Sequence, residues 1–158
     1  MFNGTDNAFV QLLIPMNEGA LALFEHLDAR AVGIDPDLIA LTKRLRATHR
    51  AELRELRSLL AAGDLAEENV HEGHQMPGMV TALRLVELRA APVAETTALA
   101  TTLLRAHLAQ TLLLCQGQQR SGHSPPLQAL TARMHRDRTA ELAELDALVG
   151  ALSTAADG

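Results

Sequence analysis

The sequence predicts an all-α domain, a four-helix bundle built from two copies of one helical hairpin. Three observations predict it. Apolar residues recur at three- and four-residue spacing through most of the 158 residues, as they do on the buried face of a helix. With three Phe and no Tyr or Trp, leucine and alanine must fill the interior, and both favour helix, while residues suited to strands are scarce. Finally, a hairpin-length pattern occurs twice in one register, the sign of an internal duplication.

The elements follow in order. Phe9, Leu12, Leu13, Met16, Ala20, Leu23 and Leu27 form the first stripe. Thr5 or Asp6 is placed to cap its start, and Gly33 with Pro36 to break the chain after it. Leu38, Leu41, Leu45, Leu53, Leu56, Leu59 and Leu60 make the second helix, which stops at Gly63. The third runs from about Val93 to Gln118, and the fourth follows Pro125-Pro126 with Leu127, Leu130, Met134, Leu142, Leu145, Leu148 and Leu152. Between the second and third, a polar stretch from Ala66 to Gly78 precedes a short helix over roughly Val80–Ala91, which Pro92 ends. The expected organisation is one domain over 1–158, with hairpin one at about 6–63, a crossover at about 64–92 and hairpin two at about 93–152. Two tight hairpins joined by one long crossover are the ferritin-like arrangement.

The repeat is explicit in the residues. Ala51-Glu52-Leu53-Arg54-Glu55-Leu56 returns as Ala140-Glu141-Leu142-Ala143-Glu144-Leu145, and Leu38-Ile39-Ala40-Leu41-Thr42 as Leu127-Gln128-Ala129-Leu130-Thr131 at the same offset. On the first helices of the two hairpins, Leu13-Ile14-Pro15-Met16-Asn17 faces Leu103-Leu104-Arg105-Ala106-His107.

Charge and motifs narrow the function. A net charge of -5 with no basic face argues against nucleic acid as a partner. No segment approaches the ~20 apolar residues that span a bilayer. Met1-Phe2-Asn3-Gly4-Thr5-Asp6 has no basic leader region, so the expectation is residence in the cytoplasm or a leader removed ahead of Met1. Cys115, the single cysteine, follows Leu112-Leu113-Leu114 and is expected to be an inert buried thiol. The only Glu-x-x-His is Glu68 to His71, in the polar stretch, whereas a di-iron oxidase needs one in each half. With no phosphate loop, nucleophile elbow or cysteine pair for zinc, the expectation is a protein that is not an enzyme. His26 and His123 have no partner that periodicity identifies, and a surface position is expected for both.

At this point the chain resembles the domain-of-unknown-function family 305 over about Asn7 to Ala151. Met76-Pro77-Gly78-Met79 matches that family's Met-Pro-Gly-Met segment, and Leu13-Ile14-Pro15 with Gly19-Ala20 fits its Met-Ile-x-His-His-x-x-Ala motif. The resemblance implies a ferritin-like duplication, relatives that are often exported, and for some a link to copper. The family's paired histidines are here Met16 and Asn17 in hairpin one, and Ala106 and His107 in hairpin two. Its Gln-x-x-Glu motif keeps Glu52 and Glu141, with His49 and Arg138 at the glutamine positions.

Helical angles place Met16, His49 and Glu52 on core-facing stripes, so they form a candidate trio across the first hairpin. Thioether and imidazole donors together suit Cu(I); the alternative is that Met16 packs while His49 hydrogen-bonds Glu52 one turn away. In hairpin two, Arg138 is expected to pair with Glu141, with His107 opposite, a salt bridge in place of a metal, or else to reach solvent. The crossover offers a second soft-metal clamp, His71, His74, Met76 and Met79, or a methionine plug for the end of the bundle. The expected function is therefore non-enzymatic metal binding, with copper the ion expected. The alternative is a metal-free structural or interaction module, paired as a homo-oligomer through a helix face.

Overall fold

The computed structural model describes residues 1–68 and 76–157, and no strand occurs among them. Among the described residues five helices follow one another: α1 (Gly4–Ala29), α2 (Pro36–Ala62), α3 (Ala82–Ala90), α4 (Val93–Ser121) and α5 (Pro125–Asp157). The hairpins α1–α2 and α4–α5 pack side by side, α1 on α4 and α2 on α5, to give the four-helix bundle. The crossover with α3 joins them.

The ends of the helices are set by local chemistry. α1 starts with a capping box: the Asn3 side chain accepts from the Asp6 N–H, and the Asp6 carboxylate accepts from the Asn3 N–H, each at 2.8 Å. The cap is thus Asn3, not Thr5 or Asp6, because the third helical residue of such a box must itself be an acceptor. Asp35 caps α2 ahead of Pro36, and Thr81 caps α3. Asp6 does more than close the box. Fully buried, it also accepts from Gln118 Nε2 and from the N–H groups of His123 and Ser124, which ties the α4–α5 turn to the start of α1.

Two apolar clusters fill the bundle. One contains Leu23, Phe24, Leu27, Leu38, Leu41, Leu45, Leu104, Leu108 and Leu145. The other contains Phe9, Leu13, Ile14, Leu53, Leu56, Leu60, Cys115, Leu127, Leu130 and Met134. On α1, α2 and α5 the stretch between the two clusters carries buried polar residues: Asn17, then His49 and Glu52, then Arg138 and Glu141. α4 adds His107 and Thr111 from the same level. A buried polar layer costs free energy unless its members satisfy one another, so their pairing decides whether the layer holds the fold or strains it.

The crossover is fastened at two points. Gln11 accepts from the Glu68 N–H and donates to the Ala66 carbonyl. Beyond it, a side chain at Gly19 would collide with the Val80 carbonyl, so α1 and the crossover touch backbone to backbone.

α4 is long and apolar enough to cross a membrane, with mean hydropathy 1.3 over its most apolar window, a third of which is buried. Arg105, exposed on α4 and paired with Asp146, interrupts its apolar run.

Candidate functional site

In the polar layer, midway along the bundle, chemistry-bearing side chains of both hairpins meet. Its central pair is Arg138 and Glu52. Arg138 is fully buried, and its fork closes on the Glu52 carboxylate, Nη1 to Oε1 at 2.8 Å and Nη2 to Oε2 at 2.7 Å. Nε donates to the Thr111 hydroxyl at 2.9 Å, and Thr111 donates in turn to the His107 carbonyl. Asn17 completes the cluster: its Nδ2 donates to Glu52 Oε2 at 2.9 Å, and its Oδ1 accepts from Arg138 Nη2 at 3.4 Å. Burial works against the guanidinium's charge, but Glu52 outweighs it and holds the Arg138 pKa above its ordinary value. Arg138 neither reaches solvent nor pairs chiefly with Glu141, which stands off at 3.4 Å. Burial pushes the Glu141 carboxyl up to about 7 despite that neighbour.

The second pair is His49 and His107. Their Nε2 atoms face each other at 2.9 Å. His49 Nδ1 lies 2.9 Å from the Leu45 carbonyl, which can only accept, so His49 carries its proton there. Its Nε2 is then a bare lone pair, and His107 must donate to it from Nε2. This leaves His107 Nδ1 without a proton and without a hydrogen-bond partner, although buried. Phe24 packs edge-on to His49 with ring centroids 5.2 Å apart. Burial holds both imidazole pKa values well below the ordinary histidine range. Arg138 lowers both further, and His49 lowers that of His107. Both rings are neutral.

The internal repeat gives this layout its logic. By the alignment of the two hairpins, His49 corresponds to Arg138, and His107 to Asn17. The His49–His107 contact and the Arg138–Asn17 contact therefore occupy equivalent places. One half of a two-fold site holds two imidazoles, and the other holds a guanidinium and an amide.

Of the sequence-predicted site residues, His49 and His107 come together, across hairpins rather than within one. Glu52 does not join them: both its oxygens are engaged, so the expected trio of Met16, His49 and Glu52 does not assemble around free donors. Met16 is buried on α1. Among the described residues no three His, Cys, Asp or Glu side chains converge as a metal cluster. His71 and His74 lie outside the described residues. Met76 and Met79, both half-buried, bracket a turn closed by the Met79 N–H donating to the Met76 carbonyl at 3.0 Å. Pro77 and Gly78 with φ +76° fill the places a type II turn reserves for them. A side chain at Gly78 would lie 2.7 Å from the Ala106 carbonyl, so the turn sits directly on α4 beside His107. It also walls a cavity of about 510 Å³ with Leu99, Leu103 and Ala106.

One other expectation changes. His26 is half-buried, not a surface residue, and its Nε2 is enclosed without a partner. Burial, then Arg30 and Arg89, lowers its pKa. Thr111 was missed altogether; its signal was a hydroxyl one turn after His107 on the inner stripe. Cys115 is buried as expected, and burial pushes its thiol up to about 12.

Comparison with known proteins places this arrangement. No curated protein matches the chain. The bundle is similar to the crystal structure of a DUF305 fragment from Deinococcus radiodurans, with TM-score 0.84 and 16% identity over 94% of this chain and 97% of that one. It is also similar to a DUF305 protein from Streptomyces coelicolor, named as a candidate secreted protein, with TM-score 0.80 and 15% identity over 92% of each chain. At such identities the likeness speaks for the fold alone. The family described as Domain of unknown function (DUF305) matches residues 6–149, and the chain belongs to that family.

Proposed function

We propose that this chain is a non-enzymatic binding protein for a soft monovalent cation, copper(I), held by His49 and His107. The observation that carries the reading is the His49–His107 contact itself. Two neutral imidazoles meet in the core, Nε2 to Nε2, and one of them keeps a buried nitrogen that the protein leaves unpaired. Buried polar atoms are rarely abandoned without a purpose.

The donor set argues for the ion's charge. Arg138 neutralises Glu52 and burial pushes Glu141 toward its uncharged form, so the layer offers mainly neutral donors and little carboxylate charge to balance a divalent ion. Imidazole is a good ligand for copper, and soft thioethers favour the monovalent state. Met76 and Met79 stand on the turn that packs against α4 at Ala106, the residue before His107. His49 is already oriented by the Leu45 carbonyl, as a ligating imidazole requires of its second nitrogen.

Competition titration with Cu(I) under anaerobic conditions tests this, using wild type, His49→Leu/His107→Leu and Met76→Leu/Met79→Leu. Tight binding that disappears in the histidine variant and survives in the methionine variant is the expected result. Binding that depends only on the methionines moves the site to the crossover. A wild type that binds nothing supports the second reading, a metal-free structural module assembled through a helix face. The Arg138–Glu52 pair favours that reading, since a side-chain cation stands where a metal would neutralise the carboxylate.

A further inference from the structure

We infer that two copies of this chain pair through the seam between α1 and α4, each setting its Leu113 into the groove of the other across a two-fold axis. The inference stands apart from the cation reading, because the seam lies on the outside of the bundle and the polar layer inside it. Charge is the first ground. Ion pairs lace three seams of the bundle: Arg46–Asp28 and Arg57–Glu18 between α1 and α2, Arg44–Glu144 and Arg133–Glu55 between α2 and α5, and Arg105–Asp146 between α4 and α5. α1 packs on α4 as well, yet among the described residues no ion pair joins those two. α1 has no Asp, Glu, Lys or Arg between Asp6 and Glu18, and α4 has none between Arg105 and Arg120. Copies of a chain with net charge -5 repel one another, and on this strip they meet without opposing like charges.

The strip is shaped as well as uncharged. A groove of about 430 Å³ runs along it, lined by Ala8, Phe9 and Leu12 of α1 and by Leu113, Leu114 and Gly117 of α4. Leu113 stands at its edge and is 59% exposed, on the helix whose most apolar window is only a third buried. A Cβ at Gly117 would meet nothing within 4 Å, so there is room beside this leucine for a second one. Apolar surface left open around a groove marks contact with a partner.

The residues around Leu113 identify the partner as a second copy. Ala109-Gln110-Thr111-Leu112-Leu113-Leu114-Cys115-Gln116-Gly117 reads nearly the same in both directions. With two α4 helices antiparallel and the axis at Leu113, like therefore faces like. Gln110 of one copy meets Gln116 of the other, and amides both donate and accept. Ala109 of one meets Gly117 of the other, small residues that let the helices close. Thr111 and Cys115 are buried within each bundle and take no part. A surface that fits itself is what a two-fold dimer requires. An anionic lipid surface would be drawn by basic side chains, and none lines the groove.

Sedimentation equilibrium of the full chain tests this up to about 1 mM, where even weak pairing shows, with wild type, Leu113→Glu and Leu83→Glu. Both leucines are exposed, so neither substitution disturbs the core. Wild type is expected to dimerise reversibly. Leu113→Glu is expected to weaken the dimer by about thirtyfold or more, as loss of a central anchor does, while Leu83→Glu on α3 pairs like wild type. A wild type that stays monomeric throughout overturns the inference. So does a dimer indifferent to Leu113→Glu, which would lie elsewhere on the molecule. So does a monomer that binds phosphatidylcholine vesicles through Leu113, which would make the seam a lipid-facing surface. His49→Leu/His107→Leu is expected to dimerise unchanged, so that loss of pairing and loss of Cu(I) binding are read separately.

Discussion

Arg138 on α5 grips Glu52 on α2 with two hydrogen bonds of 2.8 and 2.7 Å in the middle of the bundle, and this contact joins hairpin two to hairpin one. Such a pair owes its geometry to the planar guanidinium, whose two donors match the two carboxylate oxygens. Taking both charges out of water is costly, so the pair is worth more as a constraint than as net stability. It fixes which faces of α2 and α5 meet.

Removing one partner therefore does more harm than removing both. Arg138→Ala is expected to lose about 3–5 kcal/mol, the cost of an unpaired buried charge. Arg138→Met with Glu52→Leu is expected to regain at least half of that loss, because the apolar clusters on either side then meet through apolar side chains. Urea denaturation at pH 7 measures both. A single variant within about 1 kcal/mol of wild type would mean that Glu52 finds water, and the pair would not be what registers the hairpins.

The same layer sets the response to pH. His49 and His107 are neutral in the fold, with pKa values well below 6.5, whereas in the unfolded chain they take up protons near 6.5. The unfolded state then binds more protons, so their contribution to stability is complete above about 6.5 and is lost as pH falls below it. Each imidazole contributes about 1.4 kcal/mol per pH unit in that window. Glu141 acts in the opposite sense. With its folded pKa raised from 4.5 to about 7, the fold holds the extra proton, and its cost grows as pH rises through that range. Glu141→Gln is expected to leave stability unchanged near pH 4.5, to raise it at pH 8 by on the order of 3 kcal/mol, and so to steepen the acid limb. Denaturation midpoints at pH 4.5, 6 and 8 decide this, and a variant less stable than wild type at pH 8 would refute the assignment of Glu141.

How much of this the sequence carried follows from which contacts are local. Leucine periodicity and the repeat placed the four long helices and put His49, Glu52, His107, Arg138 and Glu141 on inner faces, because those properties depend on spacing along one helix. Pairing across helices does not. Arg138 and Glu141 stand one turn apart, and so do His49 and Glu52, which made both natural partners in sequence. Packing of α2 against α5 brings Glu52 to Arg138 instead, and closure of the bundle brings His107 on α4 across the core to His49 on α2. The start of α1 failed for a smaller reason: Asn3, Thr5 and Asp6 all carry capping oxygens, and only Asn3 has its acceptor three residues later.

The contact of α1 with the crossover can be tested by a pair of glycines on helices. Alanine is favoured over glycine inside a helix by about 1 kcal/mol, so both substitutions start from the same gain. At Gly117 a Cβ meets nothing within 4 Å, and Gly117→Ala is expected to stabilise the protein by up to about that amount. At Gly19 the Cβ would run into the Val80 carbonyl, a backbone group that cannot rotate aside. There overpacking costs about 1–3 kcal/mol and exceeds the helical gain, so Gly19→Ala is expected to lower the melting temperature while Gly117→Ala raises it. Should both variants melt higher than wild type, Val80 yields easily and the crossover is not seated on α1. Should Gly19→Ala alone fall, the close approach of the Val80 carbonyl to α1 is what seats the crossover on the bundle.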